Sequence, residues 1–149
     1  MKQRTSGEIV TDPVVIALAR GGIVDITTKG RRTGHPHRVE ISLHSIDRRL
    51  VISGRPGPRD WYANLMANPR MTIHFKRDVV ADVPAMGRTV TDWSERRVLI
   101  ERVMIKGFGF SPERTKREID FWVTRSPLVI VVPQWPGWVD QSELKPTRD

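Results

Sequence analysis

The stretch that decides the fold is ITTKGRRTGHPHR, residues 26–38, together with SGRPGPRDWYANLMANP, residues 53–69. Two loops rich in glycine and arginine, Gly30–Gly34 and Gly54–Gly57, lie on either side of a strand with alternating apolar residues. Glycine lets the backbone approach a ligand closely, and arginine supplies forked donors for phosphate or carboxylate. We therefore expect both loops to face one anionic ligand.

The length of 149 residues predicts a single domain over residues 1–149, large enough to bury a core. Its end, residues 134–149, contains Pro136, Pro146 and many polar side chains, so we expect a loose C-terminal arm there. Cysteine is absent, which excludes disulfides, thiol nucleophiles and cysteine-ligated metals. The first residues lack an apolar leader and no apolar run has the length of a membrane span, so a cytoplasmic location is expected.

The net charge of +8 suggests an anionic partner, which could be nucleic acid, anionic lipid or a small molecule. The chain lacks the interleaved aromatic and basic residues of single-strand platforms and any recognised nucleic-acid module, so nucleic acid is not expected. A small-molecule partner is the expectation. Loose association with a membrane surface stays open, as does the choice between monomer and homodimer.

Alternation and turn residues predict six strands, at residues 23–28, 37–43, 50–53, 71–76, 79–86 and 128–132. Helices are expected after Asp12, from an Asp60 cap to Ala67, from about Asp92 to Ile105, and from Ser111 to Ser126. The pattern predicts two sets of inward-facing residues: Val39, Ile41 and Leu43, and Met71, Ile73 and Phe75. Pro84 places its strand at an edge or a bulge, and Trp93 is expected on the buried stripe of its helix with Ile100 and Met104.

This order of elements indicates an α+β fold with a mainly antiparallel sheet. Such a sheet would curl into a small barrel, since closure removes exposed edges.

The pattern T-x-G-R-R-T-G, followed by G-R-P-G-x-x-x-W-x-x-N-L-x-x-N-P, resembles the deazaflavin-dependent nitroreductase family over residues 13–133. The resemblance implies an FMN-binding-like split β-barrel with flanking helices and the coenzyme F420, with FMN as the alternative. It also implies that the two loops hold the phosphate end of the coenzyme. The residues assigned to the coenzyme on this basis are Gly30, Arg31, Arg32, Thr33, Arg38, Ser53, Gly54, Arg55, Pro56, Gly57 and Trp61. The Trp61 ring itself is expected to pack, and Asn64 and Asn68 to stitch the turn between helix and strand.

Two functions remain open from the sequence. By resemblance, reduced F420 would deliver a hydride to an electron-poor acceptor such as a quinone or a nitroaromatic, with water or a weak acid supplying the proton. The alternative is a non-catalytic barrel that binds a flavin, haem or lipid. Many relatives carry several tyrosines before the last strand, whereas Tyr62 is the sole tyrosine here and the segment Met104–Trp122 is rich in phenylalanine and methionine. The pocket is therefore expected to be apolar and to suit a planar acceptor such as a quinone.

The four histidines give no strong site. His35 and His37 lie two apart near a turn, and without a third ligand nearby they do not predict a metal site. His44 and His74 lie on predicted strands, and one of them could line a pocket. No nucleophile elbow or serine–histidine–aspartate order is present, and no catalytic residue is assigned.

Overall fold

The structure is a computed structural model and describes residues 12–139. In chain order the described elements are α1 Pro13–Arg20, β1 Gly22–Lys29, β2 Pro36–Ile46, β3 Arg49–Ser53, α2 Asp60–Ala67, β4 Arg70–Lys76, β5 Val80–Thr89, α3 Trp93–Arg102, a π-helical turn Val103–Gly107, α4 Pro112–Arg125 and β6 Leu128–Pro133. Among the described residues, no helix is both long and apolar enough to cross a membrane.

The six strands close into a barrel in the order β1-β2-β3-β6-β5-β4, and every neighbouring pair is antiparallel. The predicted α+β fold with a mainly antiparallel split barrel is confirmed. Closure pairs β4 with β1, from Asp25 opposite His74 to Thr28 opposite Met71. The strands that begin and end the barrel therefore protect each other's edges.

Two hydrophobic cores lie on opposite sides of the barrel wall. The first fills the barrel and is covered by α1 and α2, with Met71, Ile73 and Phe75 pointing inward as predicted. The second lies outside β3 and β6, where α3 and α4 cover Val51, Leu128 and Ile130. This alternation explains why β6 is apolar at almost every position, since both faces of that strand are buried.

Three helices begin at side-chain caps. The carboxylate of Asp12 accepts from the backbone N–H of Val14 at 2.8 Å, that of Asp92 from Glu95 at 2.9 Å, and the hydroxyl of Ser111 from Arg114 at 3.1 Å. The prediction that Asp60 caps α2 is wrong. Arg59 is the N-cap residue, its side chain makes no cap hydrogen bond, and Asp60 is the first helical residue.

Strand β2 is longer than predicted and is only partly covered by β3. The pairing with β3 runs from Leu43 opposite Ile52 to Ile46 opposite Arg49, whereas β1 pairs with β2 from Pro36 to Leu43. Residues 36–42 therefore have β1 on one side and, within residues 12–139, no strand on the other. Leu43 is buried as predicted, but Val39 is 37% exposed because it lies beyond the end of β3.

Two further predictions about local structure are wrong. Trp93 is 48% exposed, because the buried stripe of α3 is formed by Arg96, Leu99 and Ile100. Pro84 is not on an edge strand, since β5 pairs on both sides. The carbonyl of Pro84 accepts from the N–H of Gln134 at 2.8 Å, just beyond the last residue of β6. Proline has no N–H to donate, and at this position beyond the pairing with β6 none is required.

Residues 134–139, the described part of the expected C-terminal arm, are anchored to the barrel. The indole N–H of Trp135 donates to the carboxylate of Asp12 at 3.1 Å, and Trp135 and Trp138 pack against the first core. This part is not a loose arm. Residues 140–149 lie outside the described part of the chain.

Candidate functional site

A cavity of about 350 Å³ opens beside the uncovered edge of β2. It is lined by Val39, Glu40, Ile41, Ser42, His44, Ser53, Gly54, Arg59, Trp61, Gly107 and Phe108. Its volume lies in the range of small-molecule sites. The cavity exists because β3 turns away at Ser53 into the second glycine–arginine loop while β2 continues.

The first loop is a closed turn. The N–H of Gly30 donates to the carbonyl of His35 at 2.7 Å, and the N–H of Gly34 to the carbonyl of Gly30 at 2.8 Å. A Cβ on Gly30 would lie 2.8 Å from Nε2 of His37 and 3.0 Å from the carbonyl oxygen of His35, so a larger residue would require the His37 side chain and the turn to shift.

Asn64 joins the first loop to helix α2. Its Oδ1 accepts from the backbone N–H of Arg31 at 3.1 Å and from Nη1 of the same residue at 2.9 Å. Its Nδ2 donates to the hydroxyl of Thr28 at 3.1 Å, and Asn64 is only 1% exposed. The expectation that Asn64 stitches the turn after α2 is therefore wrong. Asn68 does so, since its side chain accepts from the N–H of Arg70 at 3.1 Å.

The two arginines of the first loop have different surroundings. Arg31 points back to α2 and also lies 3.4 Å from the carboxylate of Asp60. Arg32 is exposed, and the structure gives its guanidinium no hydrogen-bond or ion-pair partner within residues 12–139. Both line a depression of about 180 Å³ that also involves Gly30, Thr33, His37, Asp60 and Asn64.

The second loop is held by Arg59. Its guanidinium donates to the carbonyls of Gly57 at 2.9 Å, Pro58 at 3.3 Å and Arg55 at 3.0 Å. Gly57 has φ +135°, which favours glycine, and its N–H donates to the carbonyl of Arg125 at 3.0 Å. The conformation of the second loop is therefore fixed by hydrogen bonds of its own residues and of Arg125.

The remaining predicted residues of the second loop lie at the cavity or its rim. The hydroxyl of Ser53 donates to the carbonyl of Pro127 at 2.6 Å, and Ser53 and Gly54 line the cavity. Arg55 is exposed, and its guanidinium carbon lies 5.0 Å from the ring centre of Phe108. Pro56 lies next to Arg55 and is half-buried.

The N-terminus of α2 lies between the two loops. Arg59 ends the second loop, Asp60 contacts Arg31 of the first, and Trp61 lines the cavity. Because no side chain caps this helix, the N–H groups of its first turn are donors available to an anion, together with the positive end of the helix dipole. Trp61 is 8% exposed and belongs to the first core, as expected for its ring.

Arg38 is not brought to either depression. It lies on the outer face of β1 and β2, where its Nε donates to Asp25 at 2.9 Å. Lys76 donates to Asp25 and Glu40, both at 2.6 Å. Hydrogen bonds from Lys76 and from Arg38 hold the pKa of Asp25 below its ordinary value. The alternation of β2 explains this placement, since Arg38 and Val39 point to opposite faces.

The cavity wall is mixed, with apolar and polar side chains, and of the large apolar residues in the Met104–Trp122 segment only Phe108 lines it. Phe108 reaches the cavity, whereas Met104, Phe110 and Trp122 are buried in the second core and Phe121 is 61% exposed. Val39, Ile41 and Trp61 supply the rest of the apolar surface.

His44 lines the cavity, and it is the one of His44 and His74 that does so. Its ring packs against Gly107 of the π-helical turn. The contact is close: a Cβ added to Gly107 would lie 3.0 Å from Cε1 of His44 and 3.2 Å from its Nδ1. Burial lowers the pKa of His44 below its ordinary value of 6.5. The sequence gave no sign of the contact between His44 and Gly107, because the two residues lie far apart in the chain.

We expect the ring of His44 to titrate below the ordinary value of 6.5, because burial disfavours the imidazolium form. The imidazole nitrogens are followed by NMR over a pH series, with His44 assigned from the spectrum of His44→Gln. Titration of His44 above 6.5 would contradict the burial seen in the structure.

Comparison with known proteins shows the family to which the chain belongs. The profile of a family described as F420H(2)-dependent quinone reductase matches residues 2–126. The chain belongs to this F420H(2)-dependent quinone reductase family. It is therefore an F420-dependent oxidoreductase whose acceptor is a small molecule, and the family favours F420 over FMN.

Solved structures support the fold of this quinone reductase family member. A conserved hypothetical protein from Mycobacterium tuberculosis has a TM-score of 0.63 at 17% identity, covering 91% of this chain and 87% of its own. A proposed pyridoxamine 5′-phosphate oxidase from Listeria innocua has a TM-score of 0.57 at 12% identity, covering 82% and 91%. A haem storage protein from Vibrio cholerae has a TM-score of 0.56 at 15% identity, covering 83% and 90%. At these identities the likeness shows the split-barrel fold alone.

The residues present fit the coenzyme of this reductase family. A planar ring needs a cavity with apolar walls, which Val39, Ile41 and Trp61 provide. An anionic phosphate needs donors nearby, and these are the uncapped first turn of α2 and the exposed guanidinium of Arg32. Gly30 and Gly57 keep both loops free of side chains that would fill the approach.

Proposed function

We propose that this family member transfers a hydride from reduced F420 to a planar, apolar acceptor, with a quinone as the preferred class. The observation that carries the proposal is the cavity at the open edge of β2, where the apolar side chains of Val39, Ile41, Trp61 and Phe108 lie beside polar ones such as His44. These apolar and aromatic side chains favour an apolar, planar acceptor, because burial of its rings contributes to affinity. When bound, the coenzyme supplies the hydride chemistry, and the protein positions the reacting partners.

In this proposal the two loops contact the coenzyme in different ways. Arg32 and the first turn of α2 bind the phosphate end of the coenzyme, and Arg31 positions the loop through Asn64. The other residues proposed to contact the coenzyme are Gly30, Thr33, Ser53, Gly54, Arg55, Pro56, Gly57 and Trp61. Arg38 is left out, since it pairs with Asp25 on the outer face.

The acceptor is tested by oxidation of reduced F420, followed at its visible absorbance. Menadione and a nitroaromatic are compared as acceptors, and reduced nicotinamide with FMN is the control donor system. The proposal expects turnover with F420 and a higher kcat/KM for menadione than for the nitroaromatic. Higher kcat/KM for the nitroaromatic would refute the quinone preference, and turnover only with FMN would refute the proposed function as a whole.

Arg32→Ala and Arg55→Ala are each expected to weaken F420 binding by about 1.5–3 kcal/mol, as for loss of a charge-assisted phosphate contact. Binding is measured by fluorescence titration, and the affinity of the parent should fall with added salt. Arg20→Ala is the matched control, because Arg20 is an exposed arginine on α1 that pairs with Asp78. Equal affinities for all four proteins would mean that the loops are merely solvated turns.

A further inference from the structure

Among the titratable and charged residues of the cavity, Glu40, His44 and Arg59, only His44 has no hydrogen bond within residues 12–139. Glu40 accepts from Lys76, the hydroxyl of Ser53 donates to Pro127, and Arg59 donates to three carbonyls of its own loop. Neither ring nitrogen of His44 is hydrogen-bonded within residues 12–139. Both nitrogens also keep some solvent exposure. A fully buried nitrogen without a partner would be an unsatisfied polar atom, and within residues 12–139 the only such side-chain atom is the hydroxyl of Ser126.

The ring is also held in a defined place. Gly107 ends the π-helical turn Val103–Gly107 and lies against the imidazole, so that a larger residue there would require the ring to move. Val51 lies opposite His44 in the register of β2 and β3. The imidazole therefore lies between a strand and a turn, and His44 lines the cavity.

Reduction of a quinone needs a proton as well as a hydride. A hydride adds two electrons and one hydrogen, which leaves the hydroquinone as a monoanion with a basic oxygen. Histidine is the side chain most often used to supply such a proton. The cavity has no cysteine and no tyrosine in its lining.

We propose that His44 delivers the proton that completes reduction of the acceptor, an inference that rests on the proposed function. In this step the N–H bond of the imidazolium breaks and an O–H bond forms on the hydroquinone anion. The two electrons come from reduced F420, which is oxidised, and the neutral imidazole recovers its proton from water at the cavity mouth.

Burial of the imidazole sets the expected pH dependence, since it lowers the pKa of His44. The charged residues at the cavity and beside it are Glu40, Arg55, Arg59 and Lys106. Strands β2 and β3 also carry Arg38 and Arg49, which pair with Asp25 and Glu95. The imidazolium is then the minor form at neutral pH, so the rate should rise as the pH falls from about 8 to about 6.

The first experiment compares the parent, His44→Gln and a matched control in single turnover with reduced F420 and menadione. The control is His74→Gln, because His74 bonds to Thr27 and Asp82 and does not line the cavity. We expect His44→Gln to react about 100-fold more slowly and to lose the pH dependence. The Kd for F420 should stay within roughly twofold of the parent, and His74→Gln should keep the parent rate.

The second experiment does not depend on turnover. Menadione is titrated into the parent without coenzyme and with oxidised F420, and the imidazole nitrogens are followed by NMR. We expect the shifts of His44 to change with menadione while those of His74 stay fixed.

The outcomes separate the two proposals. Parent rate and pH profile in His44→Gln, or menadione binding that leaves the His44 nitrogens unchanged, would overturn the role of His44 while leaving the reductase proposal intact. Absence of turnover in the parent would instead refute the proposed function. In that case a shift of His44 on menadione binding still supports its contact with the acceptor, and no shift overturns it.

Discussion

Arg96→Met is expected to lower the free energy of unfolding by about 3–5 kcal/mol. Arg96 is 8% exposed, and its guanidinium donates to the carbonyls of Val123 at 2.8 Å, Val90 at 2.8 Å and Ser126. Its removal leaves three buried carbonyls without a donor, each costing about 1–3 kcal/mol. Relief from burying the charge offsets part of this cost.

Arg97→Met is the matched control for this prediction. Arg97 is the next residue of α3, its side chain is 48% exposed, and it makes one ion pair with Asp120 at 2.8 Å. Its loss should change the free energy of unfolding by no more than about 0.5 kcal/mol. Both variants are measured by urea denaturation. Equal stability of the two would mean that the buried hydrogen bonds of Arg96 do not hold the fold.

Arg96 also bears on the site. It fixes the carbonyl of Ser126, in the segment 125–127 that supports the second loop. The carbonyl of Arg125 accepts from Gly57 at 3.0 Å, and that of Pro127 from Ser53 at 2.6 Å. A buried arginine bonded to neutral carbonyls thus holds the segment to which the second loop is hydrogen-bonded. Substitution there should weaken coenzyme binding as well as the fold.

Asn64→Ala is expected to lower the free energy of unfolding by roughly 2–4 kcal/mol and to weaken F420 binding by about tenfold or more. Three hydrogen bonds are lost: two from Arg31 and one to the hydroxyl of Thr28, which is 1% exposed. The first loop then loses its tie to α2, so Arg32 is no longer held in a binding position. Urea denaturation and fluorescence titration measure the two effects.

Asn68→Ala is the control, since Asn68 lies on the same helix end and accepts one hydrogen bond, from Arg70 at 3.1 Å. Its loss should cost about 1 kcal/mol or less and leave F420 affinity unchanged. Lower stability of Asn64→Ala with parental F420 affinity would separate the first loop from the coenzyme site.

The barrel itself could be predicted because its signals are local. Alternating apolar residues and glycine or proline turns predict strands and their faces within a few residues, as at Met71, Ile73 and Phe75. The ligand type of the two loops could also be predicted from the sequence, since glycine and arginine together indicate an anionic ligand. The family and its coenzyme followed from the same motif.

Apart from the cap of α2 and the buried stripe of α3, the errors concern relations between distant segments. Val39 fits an inward pattern, yet it is exposed because β3 stops pairing at Ile52. Arg38 belongs to the motif, yet the pleat of β2 directs it to Asp25. Trp135 follows proline-rich sequence, yet it bonds to Asp12 across the barrel. No local pattern reports where a neighbouring strand ends.

The sequence by itself determined the number and direction of the strands and predicted two glycine–arginine loops for an anionic ligand, because these features depend on neighbouring residues and on backbone preferences. Only the tertiary structure decided that β2 keeps an open edge, that Arg96 supports the second loop and that His44 meets Gly107 in the cavity. Those contacts join segments that are far apart in the chain, and their energy depends on burial, which exists only once the barrel has closed.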